Sequence, residues 1–267
     1  MSARATFARR RWLLSVPALA VGVALAAPAW AARHDSVVDR RTAAVAQALD
    51  RSAHGLHLHG WSTVSTSNGP RWEVTVPTVG LVQVDARTGE VDEVIFEGQL
   101  TGAAGPIVAA TGVRAVAASF ASRHYQAFSS LVSRGQKFID HGDWAEYRVE
   151  WQGRSGAAWV PSDVAVGINA RTGRVAYFYS DRTPVRIATT PGVGAKFARR
   201  AAARAAGATK GSHVSAAELS VEVANGRQIL VWVVSVQAPR VLTPHVPNDK
   251  VVWVDANSGV ANVWATT

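Results

Sequence analysis

The sequence contains no cysteine. This absence excludes disulfide bonds, a lipid-modified cysteine and catalysis by a thiol, so the stability of the protein must come from its hydrophobic core. Charged residues are also scarce, at 18% against 48% hydrophobic residues. That balance is typical of a folded protein rather than a disordered one, and 267 residues are enough for two or three small domains.

Motifs of catalysis are missing as well. The sequence has no G-x-S-x-G, no H-E-x-x-H and no phosphate-binding loop. Its carboxylates are scattered over turns and strand faces, although distant residues can also assemble an acid–base pair. We therefore expect a protein that is not an enzyme, with no catalytic residue and no cofactor.

Residues 1–31 have the pattern of an export signal. Three arginines at 9–11 precede an apolar run over 12–27, and AWA at 29–31 is a small-x-small cleavage pattern. The run is shorter than the ~20 apolar residues of a membrane-spanning helix, and no later segment approaches that length. We expect cleavage after residue 31, a protein that is secreted or lies in the cell envelope, and no transmembrane segment. The general and twin-arginine export routes both stay open.

The mature protein would be mildly basic. Removing residues 1–31, which carry four arginines and no acidic residue, lowers the formal net charge from +9 to +5. Part of that charge lies on one helical face at 196, 199, 200 and 204, which would suit an anionic wall polymer or lipid headgroup. Any solvated helix beside a core has a similar face. Because the protein is expected to be exported, we expect no nucleic acid partner.

A short phrase recurs three times along the chain. It reads DARTG at 85–89, NARTG at 169–173 and DANSG at 255–259, at spacings of 84 and 86 residues. In each copy the opening Asp or Asn can cap the amides of a tight turn, and the closing glycine can take a positive φ. Apolar and β-branched residues flank each copy. The phrase therefore predicts three equivalent β-hairpins.

Each hairpin follows a tryptophan-containing strand and, further upstream, an alanine-rich helical pattern. The strands are predicted at 72–76, 144–151 and 229–234, and the helices at 36–52, about 113–131 and about 193–206, the last closed by Gly207. The sequence thus predicts an α+β fold of tandem repeats, each with one helix packed on a three- to four-stranded antiparallel sheet. The modules are expected at 32–101, 107–184 and 190–267.

This arrangement resembles the PepSY domain, on the phrase V-D-A-x-T-G-x-V after a helix and a strand meander. The resemblance covers about residues 36–267. It implies a cystatin-like fold of three PepSY-like repeats, related to the modules of peptidase propeptides, and a non-catalytic role outside the cytoplasm. No peptidase segment follows these modules in the sequence, so the resemblance implies regulation or inhibition of a secreted peptidase in trans, or ligand binding.

Three histidines are candidate metal ligands: His54, His57 and His59. On a strand, His57 and His59 would project to the same face, as a pair of imidazole ligands for zinc or copper does. No carboxylate at a fixed spacing completes the site, although Asp50 lies one helical turn before His54. Because a catalytic zinc usually has three protein ligands, the alternative is a set of solvent-facing histidines.

Tryptophan is the remaining candidate for a binding surface. Most of the eight tryptophans after residue 31 are expected in the core, and Trp61, Trp159 and Trp264 are expected to be exposed. A partner could also add a strand to an exposed sheet edge, such as one formed by 144–151. We therefore expect a regulatory protein that binds a protein partner, such as a peptidase, or a cell-envelope component. The alternative is a protein that binds a metal, a small ligand or an envelope polymer.

Overall fold

A computed structural model describes residue 58 and residues 62–66, 69–76, 79–100, 107–239 and 249–266 of the chain. The predicted export signal and the predicted first helix lie outside these residues, as do His54, His57, His59 and Trp61. All structural statements below concern the described part of the chain.

Within that part, the chain forms thirteen β-strands and two α-helices. The strands are β1 (Ser62–Thr66), β2 (Gly69–Val76), β3 (Gly80–Asp85), β4 (Val91–Ile95), β5 (Val132–Asp140), β6 (Ala145–Ser155), β7 (Ala158–Asn169), β8 (Val175–Arg182), β9 (His213–Val214), β10 (Glu218–Ala224), β11 (Arg227–Gln237), β12 (Lys250–Asp255) and β13 (Ala261–Thr266). The helices are α1 (Val113–His124) and α2 (Ala195–Ala205).

All thirteen strands belong to one mixed sheet. Its main path runs β1-β2-β3-β4-β8-β7-β10-β11-β12-β13, with β6 between β5 and β7, and with β9 on β11. Two pairings join segments that the sequence separates into modules. The first is the antiparallel pairing of β4 with β8. The second is the parallel pairing of β7 with β10, through Trp159 and Ser220.

The predicted tandem repeats of a helix on its own small sheet are therefore wrong. The described residues form mainly one large sheet, with only two helices among them. Hydrophobic periodicity within a segment predicts a strand and its hairpin partner. It does not predict which strand pairs with the outer edge of the hairpin, where backbone N–H and C=O groups are still unpaired. In this protein those groups bond across the predicted boundaries. The boundaries at 101–107 and 184–190 stay a prediction.

The three hairpin turns are confirmed. The Oδ1 atom of Asp85 accepts hydrogen bonds from the amides of Arg87 and Thr88, at 2.8 and 2.7 Å. The same two bonds occur at Asn169 and at Asp255. The glycines that close the turns, Gly89, Gly173 and Gly259, have φ values of 78°, 69° and 77°. These values lie in the left-handed region that glycine tolerates best, so the sequence phrase specifies the turn directly.

Each helix packs on one stretch of the sheet. Helix α1 buries Ala117, Phe120 and Ala121 against β6 and β7. The rings of Phe120 and of Phe178 on β8 pack together, with their centres 5.6 Å apart. Helix α1 ends at His124, earlier than predicted, and a short 3-10 turn at Phe128–Ser130 follows. Helix α2 packs alanines on β11, β12 and β13. It is followed by Gly207 at φ 68°, as the sequence predicts.

No helix in the described ranges has the length and the apolar character needed to cross a membrane.

Candidate functional site

A groove of about 440 Å³ lies where three distant segments of the chain meet. The segments are the β3–β4 turn region, the stretch that follows β8 and the β10–β11 turn. This volume is within the range of small-molecule binding sites. The described residues that line it include five arginines, namely Arg71, Arg87, Arg182, Arg186 and Arg227. We call it the arginine groove.

The carboxylates of the arginine groove are each held by a neighbour. Asp85 accepts the two turn amides described above, and Glu90 forms an ion pair with Arg182. Asp181 accepts hydrogen bonds from the amide and the hydroxyl of Thr183, at 2.8 and 2.7 Å. The negative charges of the groove are therefore already engaged in local structure.

The fourth carboxylate, Asp92, forms a buried ion pair with Arg71. The Arg71 Nε and Asp92 Oδ2 atoms lie 3.1 Å apart, and the two side chains are 7% and 8% exposed. Asp92 reaches this position because the β3–β4 ladder shifts register there, so that it is the extra residue between Val91 and Glu93. Burial raises the pKa of Asp92 to about 6, against the opposing effect of Arg71.

Arg182 is also committed to the fold. Besides its ion pair with Glu90, its Nη2 atom donates to the carbonyl of His124 at 3.1 Å, and its guanidinium lies 4.5 Å from the centre of the Tyr125 ring. These contacts tie β8 to the end of α1. Arg182 therefore contributes positive potential to the groove, while its donors are largely used by the protein.

The other three arginines of the groove form no ion pair within the described part of the chain. Arg87, Arg186 and Arg227 are exposed, and none has a carboxylate within ion-pair distance among the described residues. They come from the β3–β4 turn, the stretch after β8 and the start of β11. Gln228 fixes two of these segments together, because its Oε1 accepts the Arg186 amide at 2.7 Å and its Nε2 donates to the Pro184 carbonyl at 2.6 Å.

This arrangement is suited to binding an anion. A guanidinium presents a planar fork of donors that matches a carboxylate or a phosphate, and several of them around one groove attract negative charge from solution. The described residues lining the groove include no histidine, lysine, serine or tyrosine. The groove thus combines exposed cations with carboxylates that are held in local contacts, and its side-chain hydroxyls are those of Thr88 and Thr183.

No sequence motif predicts the arginine groove. The turn phrase predicts only hairpins, although Arg87 lies inside that phrase and Arg227 follows the Asn225-Gly226 turn. These arginines at two turns are the feature of the sequence that could have indicated the groove. That the two turns face a common groove depends on strand pairings that the sequence pattern does not contain.

The metal prediction at His54, His57 and His59 lies outside the described residues and stays a prediction. Within the residues that the structure describes, no three His, Asp or Glu side chains come close enough together to hold a metal ion.

The tryptophans divide between core and surface. Of the seven tryptophans among the described residues, Trp151, Trp232 and Trp253 are buried, whereas Trp72 and Trp144, also expected in the core, are half-buried. Trp264 is 55% exposed, also as predicted, and stacks on Trp253 with the ring centres 3.9 Å apart. Trp159 is half-buried rather than exposed as predicted, because the guanidiniums of Arg134 and Arg154 lie 4.2 and 4.5 Å from its ring centre.

The strand edge predicted at 144–151 is wrong. Strand β6 pairs with β5 on one side and with β7 on the other, so its backbone amides are already bonded. Among the described strands, β1, β5, β9 and β13 each pair with one neighbour only, and β9 has just two residues. A partner that adds a strand would find its unpaired amides on one of these strands.

The basic face of α2 forms as predicted. Lys196, Arg199, Arg200 and Arg204 are exposed, and Ala198, Ala201 and Ala202 are buried. Arg199 donates to the Val214 carbonyl at 3.0 Å. This face is a second cationic surface, and none of its four basic residues lines the arginine groove.

Comparison with known proteins shows no family for this chain. No protein family model matches the sequence, and no curated protein matches it. Among solved structures, the chain is similar to a provisionally described lipoprotein from Clostridium difficile 630, with a TM-score of 0.21 and 10% identity over 53% of this chain and 85% of that one. A likeness this slight carries no argument. The resemblance to PepSY domains is therefore wrong, since neither a family model nor the observed sheet supports it.

Proposed function

We propose that this protein is a non-enzymatic binding protein that acts outside the cytoplasm and holds an anionic ligand in the arginine groove. One observation carries the proposal: three exposed arginines, which have no carboxylate partner among the residues that the structure describes, surround a groove whose own described carboxylates are all engaged. The groove therefore has positive charge available for a ligand. A guanidinium can hold the two oxygens of a carboxylate or a phosphate through two parallel hydrogen bonds.

The sequence supports a ligand from the cell envelope. The export pattern at 1–31 directs the protein out of the cytoplasm, and the mature chain would keep a net positive charge. Anionic envelope polymers are abundant in that location and have the chemistry that the groove requires. The basic face of α2 would add long-range attraction for such a polymer.

Regulation of a secreted peptidase stays an untested prediction. It rested on the resemblance to PepSY domains, and no feature of the described residues favours it. The metal-binding alternative likewise rests on histidines outside the described residues.

The test is binding of a defined polyanion to the mature protein from residue 32. Isothermal titration calorimetry with long-chain inorganic polyphosphate and with polyglutamate would measure affinity at low and at physiological salt. We expect measurable binding that weakens as salt increases, because exposed charge pairs are screened.

Two matched variants locate the site. Arg186→Glu/Arg227→Glu changes the groove, and Arg200→Glu/Arg204→Glu makes the same change in charge on α2. The groove variant should lose about tenfold or more in affinity, as expected when charge-assisted bonds worth about 1.5–3 kcal/mol each are removed. Equal losses in both variants, or no binding by the wild type, would contradict the proposal.

A further inference from the structure

Among the described residues that line the arginine groove, Arg71 is the one buried arginine. Its residue exposure is 6%, yet both Arg71 and its partner Asp92 line the groove. Apart from Asp92, the described partner of its guanidinium is Gln83 Oε1, at a long 3.4 Å. Among the described residues, Asp92 is thus the one carboxylate in ion-pair contact with Arg71, although Asp85 lies opposite Arg71 in the β2–β3 register.

We infer that Arg71 is a latent anion-binding residue of the arginine groove, which Asp92 neutralises at neutral pH and releases in acid. The inference rests on the proposed function, because it concerns the same groove. It identifies Asp92 as the residue that controls the affinity of the groove, and acidic pH as the condition under which the groove binds an anion most tightly.

The physical argument begins with the cost of burial. A buried ion pair is tolerated because each charge compensates the other, and removal of one charge leaves the second uncompensated in a medium of low polarity. When Asp92 takes up a proton, the Arg71 cation loses its counter-ion. An anion that enters the groove beside Arg71 then replaces the lost carboxylate.

The reverse holds when Asp92 is ionised. Its negative charge neutralises Arg71 and also repels an incoming anion. The affinity of the groove for an anion should therefore rise as pH falls through the pKa of Asp92, and bound anion should in turn favour the protonated form of Asp92. Because burial raises this pKa to about 6, the change falls in a mildly acidic range.

The other charged groups around Asp92 do not substitute for Arg71. Arg182 on β8 is paired with Glu90, the residue before β4. Asp85 at the end of β3 and Asp181 on β8 are both held by hydrogen bonds, and their charges raise the pKa of Asp92 further. Arg71 on β2 is the cation in direct contact with Asp92. Protonation of Asp92 therefore acts mainly on Arg71.

The ligand class that this arrangement favours is a strong-acid anion such as a phosphodiester or polyphosphate chain. A carboxylate ligand would itself begin to take up protons in acid, whereas internal phosphates keep their charge. A binding site that tightens in acid is most effective for a ligand that stays ionised there.

The experiment measures affinity for long-chain inorganic polyphosphate at pH 7.5 and at pH 5.0. Wild-type protein should bind about tenfold more tightly at pH 5.0, the factor that corresponds to a shift of one pKa unit on binding. Asp92→Asn, which imitates the protonated form, should bind tightly at both values. Asp143→Asn is the matched control, because Asp143 is exposed and lies outside the groove lining, and it should keep the wild-type response.

A second variant keeps the test decisive if Asp92→Asn does not fold, as judged by circular dichroism. Arg71→Met/Asp92→Leu replaces the ion pair by apolar side chains, a change that proteins often tolerate. It should bind at both pH values with the weaker affinity that wild type shows at pH 7.5.

The outcomes separate this inference from the proposed function. Groove binding that does not change with pH in the wild type, or that keeps its full pH dependence in either Asp92 variant, would overturn the inference and leave the proposed function standing. No groove-dependent binding at either pH would overturn both.

Discussion

The aromatic ring of Phe197 on α2 lies directly over Gly259 in the β12–β13 turn, in the space that a Cβ atom on Gly259 would occupy. This contact joins the helix to the third copy of the turn phrase. It explains why Phe197, although 39% exposed, still contributes to packing.

Gly259→Ala should therefore destabilise the protein for two reasons. Alanine is strained at φ 77°, and its methyl group would overlap the Phe197 ring. We expect a loss of about 2–4 kcal/mol in the free energy of unfolding, measured in urea. Gly226→Ala is the matched control, because Gly226 has φ 74° and open space around it, and it should lose only about 1–2 kcal/mol. Equal losses would show that the ring contact contributes nothing.

Glu146 is fully buried and depends on Arg148. Its Oε1 atom accepts from Arg148 Nη2 at 2.7 Å and lies 3.3 Å from His141 Nε2. Arg148→Met should lower the free energy of unfolding by about 3 kcal/mol, because it leaves the buried Glu146 carboxylate without the arginine that bonds to it. Glu146→Leu/Arg148→Met removes both charges and should be more stable than Arg148→Met in thermal and chemical unfolding. A double variant less stable than the single one would contradict this account.

Asp255 should make the third hairpin sensitive to acid. The Ser258 amide, with further hydrogen bonds from the Ser258 hydroxyl and the Asn257 amide, holds the pKa of Asp255 below its ordinary value. A lowered pKa in the folded state adds stability above the unfolded pKa of about 3.9, and this stability is lost as pH falls through the folded value.

Asp255→Asn tests this directly. Asn169 makes the same turn bonds without a charge, so the variant should keep the turn and lose the acid sensitivity. NMR titration of the Asp255 carboxyl would measure the lowered pKa. The free energy of unfolding of the wild type and of Asp255→Asn would then be compared at pH 7 and at pH 3. An ordinary pKa for Asp255 would refute the prediction.

Trp159 should stabilise the junction between β7 and β10. The guanidiniums of Arg134 and Arg154 lie 4.2 and 4.5 Å from the centre of its ring, and Arg134 also forms a 3.0 Å ion pair with Glu218 at the start of β10. Trp159→Ala should lower stability by about 1–3 kcal/mol, the sum of two exposed cation–π contacts and the lost apolar contact.

Hydrogen exchange provides the local measurement for this junction. Amides of β10 should exchange faster in Trp159→Ala, whereas amides of β2 and β3, at the far side of the sheet, should keep their protection. Uniform acceleration over the whole sheet would show that Trp159 supports global stability instead.

The sequence by itself determined the local elements. The three turns form because Asp or Asn caps two amides and glycine takes a positive φ, and both causes act within five consecutive residues. The end of α2 before Gly207 and the exposed face of that helix follow in the same way from local conformation and hydrophobic periodicity.

Only the tertiary structure decided how these elements combine. The pairings of β4 with β8 and of β7 with β10 depend on which unpaired strand edges meet in the folded protein. The sequence does not specify these partners, because the backbone N–H and C=O groups are the same in every strand. Those pairings unite the strands in one sheet and bring Arg87, Arg186 and Arg227 around one groove. The contact of Asp92 with Arg71 has a different origin, because it depends on the β2–β3 pairing and on the register shift between β3 and β4, and the sequence pattern does not specify that shift.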